Sequence, residues 1–293
     1  MEIVFLGTSS MVPTADRNHQ AILLNHKAEH ILVDCGEGTQ RQFRKAKISP
    51  AKLTKLLITH WHGDHVLGIP GLIQTLIANH FTGTLEVYGP SGTKNYFAKM
   101  LDAFMMRGDM IDLKIKEVKE GKICEDKDFI IEAFKLEHGN CYGYTFIEKD
   151  RRKIDLKKHG LKSDPILKDL QQGKDIVWNG KKIKAKDATT LVKGKKVCFV
   201  SDTGKSDNIV KFCKNADLMI CEATLMHDLK EVAKERNHLT SVQAAGLAKK
   251  AKVKKLVLTH FSQRYNNVKN LIKEAKAKFK EVSAAKDFLK ISL

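Results

Sequence analysis

The stretch "THWHGDH" sets His60, His62, Asp64 and His65 within six consecutive positions, directly after an apolar run. Imidazole nitrogens and carboxylate oxygens without a thiolate are the donor set of borderline divalent cations such as Zn²⁺ or Mn²⁺. On a tight loop His60 and His62 alternate and point the same way, while Asp64 and His65 follow on the turn and face a second position. Gly63 lets the backbone bend between the two pairs. One short segment can therefore serve two adjacent cations. A lone histidine is most simply a packed or surface residue, but ligand types recur elsewhere: His138 after "IIEAFKLE", Asp202 after "KVCFVS", Glu222 after "LMIC" and His260 after "KLVLT". Asp202 is the candidate carboxylate to bridge two metals.

Residues so far apart in sequence need a fold that gathers them. Short runs rich in β-branched and apolar residues, among them "EIVFLGT", "HILVDCG", "KLLITH", "TLEVYGP" and "KVCFVSDTG", read as buried strands closing on polar or glycine turns. Helical patterns such as "GTQRQFRKAKI", "GIPGLIQTLIANH", "SVQAAGLAKKA" and "NVKNLIKEAKAKF" lie between many of them. The alternation predicts an α/β layered fold, in which strand ends along one sheet edge converge to build a site. Both halves of the chain show strand, ligand, helix units, a weak echo compatible with a pseudo-symmetric core. Residues 149–193 break the pattern, with few apolar runs and turn signals at Gly160, Asp164-Pro165, Gly173 and Asn179-Gly180. They read either as an inserted arm or as a helix and hairpin packed on the domain.

The 293 residues suffice for one large α/β domain with a substantial core. The net charge of +18 is localised. Residues 149–196 carry 16 basic and 6 acidic side chains, and residues 249–293 carry 13 and 3, so each zone holds an excess of 10. Localised excess of this kind suits contact with a polyanion, although lysine-rich helix surfaces are also common. Six cysteines form no C-x-x-C pair and are expected as small buried hydrophobes. Glu2 stands where a secretory signal would carry basic residues, and no uncharged apolar stretch approaches the ~18 residues of a membrane span, so a cytoplasmic protein without membrane contact is expected.

"THWHGDH" with the following "GIPGL" resembles the signature loop of the metallo-β-lactamase superfamily. More narrowly, "FLGTSSMVPTADRN", "VDCGEGTQRQ", "EATL", "HLT" and "LTHFSQRY" resemble motifs of the ribonuclease Z family, the tRNA 3′ processing endonucleases, from about residue 3 to residue 265. The resemblance implies a single αβ/βα sandwich over residues 1–293, two mixed β-sheets flanked by helices, with residues 149–193 as a protruding basic arm that grips tRNA. It implies two divalent ions, most simply Zn²⁺, one held by His60, His62, His138 and Asp202 and the other by Asp64, His65, Asp202 and His260. Asp64 would also act as base, and His238 as leaving-group acid oriented by Glu222. By its own surroundings, after "KEVAKERN", His238 is a plain loop or helix-cap histidine. The matching motifs further imply substrate contacts at Arg17, Asn18, Thr240 and Arg264, and at Lys157 and Lys158 of the arm, which departs from the family's glycine- and proline-rich tip. Precursor tRNA as substrate and a homodimer are implied as well. The apolar face of "GIPGLIQTLIANHFTG" could serve as an interface or be ordinary core. Because one dinuclear site can serve many substrates, a small-molecule hydrolase or phosphodiesterase is the alternative, and an RNA-binding module with a vestigial metal site is a third reading.

Overall fold

The computed structural model describes residues 1–107, 109–156 and 160–293; Lys157, Lys158 and His159 lie outside the described residues. The strands of the first half are β1 (Glu2–Gly7), β2 (Ala21–His26), β3 (Glu29–Val33), β4 (Lys55–Leu57), β5 (Thr84–Gly89) and β6 (Asp112–Glu117). There follow β7 (Gly121–Glu125), β8 (Phe129–Leu136), β9 (Cys141–Glu148), β10 (Arg151–Ile154), β11 (Ile176–Trp178), β12 (Lys181–Ile183), β13 (Thr189–Val192), β14 (Lys196–Val200), β15 (Leu218–Glu222), β16 (Leu256–Thr259), β17 (Val282–Ala284) and β18 (Lys290–Ser292). The helices are α1 (Thr39–Lys45), α2 (Gly63–Val66), α3 (Ile69–Ala78), α4 (Thr93–Ala103), α5 (Leu167–Gln171), α6 (Ala185–Ala188), α7 (Asp207–Cys213), α8 (Lys230–Glu235), α9 (Ser241–Lys250) and α10 (Lys269–Lys276).

Two seven-stranded sheets result, in the orders β18-β1-β2-β3-β4-β5-β6 and β17-β16-β15-β14-β9-β8-β7. Each is mixed: antiparallel from β18 to β3 and from β7 to β14, parallel from β3 to β6 and from β14 to β17. Strand periodicity explains the layering. In β1, Ile3 and Phe5 join one core cluster with Val197, Phe199, Leu218 and Ile220 of the opposite sheet, whereas Val4 and Leu6 join a second cluster under α1, α3 and α4. Met219 and Cys221 point away from the sandwich into a third cluster with α7, α9 and α10. The order of layers is therefore helix, sheet, sheet, helix, as the resemblance implies. Ile69, Leu72, Ile73 and Leu76 of α3 are buried in the second cluster, so the face that could have been an interface is ordinary core.

The segment between β9 and β14 has an apolar cluster of its own, Leu161, Leu167, Leu170, Ile176, Ile183, Ala185 and Ala188. Its stem is the β10–β13 ladder, closed at the base where Lys193 Nζ meets Asp150 at 2.7 Å and Gly194 N–H donates to Asp150 Oδ1 at 3.0 Å. Of the six free cysteines five are buried, and Cys124 is partly so. Among the described residues no helix is long and apolar enough to cross a membrane.

Candidate metal centre

The parallel halves of the two sheets end along one edge of the sandwich, and the ligand-type residues stand there. Asp34 follows β3, His60 and His62 follow β4, and Asp202, Glu222 and His260 follow or end β14, β15 and β16. Strand β8 is antiparallel to β9, which is antiparallel to β14, so β8 runs with β14 and delivers His138 to the same edge. Asp34 and His260 both sit at φ 59°, a left-handed conformation unusual for residues with a Cβ and one that recurs at functional sites. Two glycines let the loops meet backbone to backbone. A Cβ on Gly36 would lie 2.3 Å from the Asp64 carbonyl oxygen and one on Gly68 2.0 Å from that of Gly36, so the "DCGEG" turn is the seat of the metal loop.

Two four-donor groups share Asp202, His60, His62, His138 with Asp202 and Asp64, His65, His260 with Asp202, and a three-residue set of Glu222, His238 and His260 adjoins them, the donor atoms within each lying within 4.8 Å of one another. In the first, His60 Nε2 is 3.0 Å from His62 Nδ1, His62 Nδ1 is 3.3 Å from His138 Nε2, and His60 Nε2 is 3.7 Å from Asp202 Oδ2. In the second, His65 Nε2 is 3.4 Å from Asp64 Oδ2 and 3.5 Å from Asp202 Oδ2, and His260 Nε2 is 3.2 Å from Asp64 Oδ2 and from Asp202 Oδ1. A tetrahedral centre with bonds of ~2.05 Å has edges of about 3.3 Å. Asp64 Oδ1, Asp202 Oδ1 and His65 Nε2 are buried without a hydrogen-bond partner, a cost that a cation would remove. The residues present thus fit a pair of divalent ions.

The other ring nitrogen of four of the five donor histidines is held. Asp34 Oδ2 accepts from His65 Nδ1 at 2.7 Å and from Thr59 Oγ1 at 2.9 Å, and Thr59 Oγ1 is 3.0 Å from His60 Nδ1. His138 Nδ1 donates to the Asn237 carbonyl at 3.0 Å, and His260 Nδ1 lies 2.9 Å from Thr224 Oγ1. Such partners fix the tautomer and aim the free nitrogen at the metal position. Electrostatics agree. Burial, with the neighbouring imidazoles, pushes His60 well below the ordinary histidine range and lowers His62, which keeps both neutral as ligands must be. Burial alone would lower His65 and raise Asp64 and Asp202, but the imidazoles and carboxylates outweigh it, holding His65 up and both aspartates down. The cluster demands positive charge at its centre.

Beside the donors, Glu222 is fully buried and takes four hydrogen bonds: from Thr203 N–H (2.9 Å), Thr224 N–H (3.1 Å), Thr224 Oγ1 (2.6 Å) and His238 Nδ1 (2.9 Å). Burial would lower His238, yet the Glu222 charge and hydrogen bond prevail and raise it to about 9. With Nδ1 committed to Glu222, Nε2 is the nitrogen left to exchange a proton. A cleft of about 470 Å³ is lined by Asp64, Asp202, His238 and His260 together with Met11, Arg236 and Arg264.

A model of the beta-lactamase superfamily domain matches residues 179–261, and one of the anti-Pycsar protein Apyc1 matches residues 1–146. Ribonuclease Z of Listeria welshimeri is 38% identical to this chain over 301 residues, covering 98% of this chain and 97% of that protein. Ribonuclease Z of Methanothermobacter thermautotrophicus is 36% identical over 298 residues, covering 100% and 97%. The chain belongs to the ribonuclease Z family. The crystal structure of human tRNase Z, short form, has a TM-score of 0.71 to this ribonuclease Z family member at 30% identity, covering 100% of this chain and 99% of that one.

Not every candidate contact residue lines the cleft of this ribonuclease Z family chain. Arg264 does. Arg17 Nη2 donates to the carbonyls of Tyr265 (2.9 Å) and Ser262 (3.3 Å), and Asn18 Nδ2 donates to that of Glu37 (2.7 Å), so both brace loops around the site. Thr240 is fully buried as N-cap of α9, in a capping box with Gln243. Sequence patterns single out none of Asp34, Thr59, Thr224 or Arg236. Asp34 carries the same signal as the candidate donors, an acidic residue closing the strand run "HILV", and lies inside a motif of the resemblance. Replacing Asp34 by alanine is expected to weaken metal affinity about 10- to 100-fold, measured by competition with a chromogenic chelator; unchanged affinity would remove Asp34 from the support of His65 and Thr59.

Proposed function

We propose that this chain cuts precursor tRNA on the 3′ side of the acceptor stem, leaving a 3′-hydroxyl on the tRNA and a 5′-phosphate on the trailer, as a two-zinc enzyme acting as a homodimer in the cytoplasm. The observation that carries the reading is that the shared metal-donor cluster and the carboxylate-held imidazole of His238 open into one cleft, with Arg236 and Arg264 on its wall. Membership of the ribonuclease Z family supports tRNA as the substrate, and an all N/O donor set supports zinc.

Bound divalent ions would supply Lewis-acid charge to the phosphate and make water nucleophilic at neutral pH, and His60, His62, His138, Asp64, His65, His260 and Asp202, the residue common to both four-donor groups, would hold them. Asp64 Oδ1, buried and unpartnered, accepts the proton that the attacking water loses. As the water oxygen bonds to phosphorus and the P–O3′ bond breaks, His238 Nε2 gives its proton to the departing 3′-oxygen. Glu222 orients that ring and keeps it protonated. Arg264 and Arg236 pair with phosphate oxygens, and Arg17, Asn18 and Thr240 hold the cleft walls in place. Residues 149–193 serve as an exosite for tRNA. Their described basic residues are spread over strands and turns suited to phosphate contacts along a duplex.

The test is to map the cut in one precursor tRNA to the nucleotide, and to repeat it after joining Asp150 directly to Lys193. Loss of tRNA cleavage by about 10²-fold or more, with turnover of bis(p-nitrophenyl) phosphate retained, is the expected outcome. If the intact protein spares precursor tRNA but hydrolyses a thioester or lactam, the small-molecule reading takes its place.

A further inference from the structure

The cleft has two flanks of unlike chemistry. On the His238 side, a cavity of about 450 Å³ is lined by Lys205, Lys230 and Lys234 together with Glu137 and Glu231, an excess of one positive charge. On the His62 and His138 side, a cavity of about 410 Å³ is lined by Trp61, Tyr96, Pro90 and Asn140. Trp61 stands between two metal donors in sequence, and its indole Nε1 donates to Thr93 Oγ1 at 2.9 Å, which itself donates to the Pro90 carbonyl at 2.6 Å. Its ring is further braced edge-on by the buried Phe97 at 5.8 Å. Tyr96 packs 5.0 Å from the Trp61 ring and remains 44% exposed. With its one donor satisfied internally, Trp61 offers the cavity a fixed π-surface, and Tyr96 extends it outward.

We propose that Trp61 and Tyr96 form a stacking subsite for the first unpaired nucleobase of the trailer, immediately downstream of the cut. The inference rests on the endonuclease reading above, which sets the direction. His238 protonates the 3′-oxygen that remains with the tRNA, so the lysine-lined flank that shares His238 takes the upstream side. Upstream lies the acceptor stem, a duplex whose bases are turned inward, so phosphates are what a protein meets there. The aromatic flank takes the downstream side, where a single strand exposes base faces. Stacking on an indole whose N–H is already used reads no base identity. The subsite therefore accepts trailers of any sequence, while orienting the first nucleotide so that the scissile phosphate lies over the donor cluster.

The experiment compares two precursor tRNAs that differ only in whether the first trailer nucleotide carries a base or is abasic, each cut by the metal-loaded wild type and by Tyr96→Ala. The expected result is a loss of about tenfold or more in kcat/KM for the abasic substrate with wild type, and a similar loss for Tyr96→Ala on the normal substrate. The two losses should not compound. Tyr96→Phe, which keeps the ring, should restore cleavage. Equal losses for Tyr96→Ala on both substrates, or no sensitivity of wild type to the abasic site, would overturn the subsite while leaving the endonuclease reading intact. Failure of wild type to cut either precursor, with bis(p-nitrophenyl) phosphate still turned over, would overturn the endonuclease reading and this inference with it.

Discussion

Asp202→Asn is expected to lower precursor tRNA cleavage by at least about 10³-fold, equivalent to about 4 kcal/mol of transition-state stabilisation, and to reduce bound metal from two ions per chain toward one or none. Asp202 is the residue common to both donor groups, and its two oxygens face different partners: Oδ2 lies near His60 and His65, Oδ1 near His260. Asparagine keeps the shape but offers one neutral acceptor in place of two charged ones, so neither group retains its full set. Elemental analysis of the purified variant, alongside cleavage with and without chelator treatment of the wild type, checks both halves. Retention of two ions at wild-type affinity would show that Asp202 does not bridge. A circular dichroism spectrum matching wild type separates loss of metal from loss of fold.

His238→Ala should cost about 10²- to 10⁴-fold in kcat, the range of a positioned general acid, while metal content stays unchanged because His238 lies outside both four-donor groups. The decisive comparison is the leaving group. A p-nitrophenolate departs without a proton, so hydrolysis of bis(p-nitrophenyl) phosphate should fall far less than tRNA cleavage. An equal loss on both substrates would exclude the acid role. The pH profile follows with its sign. The protonated imidazole is the active form, so cleavage persists through neutrality and declines as pH rises through the His238 pKa, which is about 9 without metal and is lowered by nearby cations. Glu222→Gln removes the charge that raises it, and the alkaline limb should move to lower pH toward ~6.5. An unmoved limb would detach Glu222 from His238.

How far the site could be read in advance depends on the range of the interactions that define each part. The crowding of "HWHGDH" and the ligand types closing strand runs are local signals, since strand periodicity and the start of α2 at Gly63 are set by neighbours in sequence. Thr240 carries a local signal of another kind. "TSVQ" is a capping box written in four residues, and it accounts for the threonine without a substrate. Helix α3 argues the other way. Its apolar face was legible, but whether that face meets core or a second chain depends on which sheet lies beneath it.

By itself the sequence carried the layered α/β class, eight candidate donors with Glu222 among them, and the segregation of basic charge, because residue type, period and spacing along the chain carry each of these; the narrowing to seven donors is what the family resemblance implies. Only the tertiary structure decided what holds and flanks the donors. Asp34 reaches His65 because β3 lies beside β4, Thr224 reaches His260 because β15 lies beside β16, and Tyr96 reaches Trp61 across 35 positions. Hydrogen bonds and ring contacts of this kind act over a few ångströms in space whatever the separation in sequence, so their partners become known only when the strand order is.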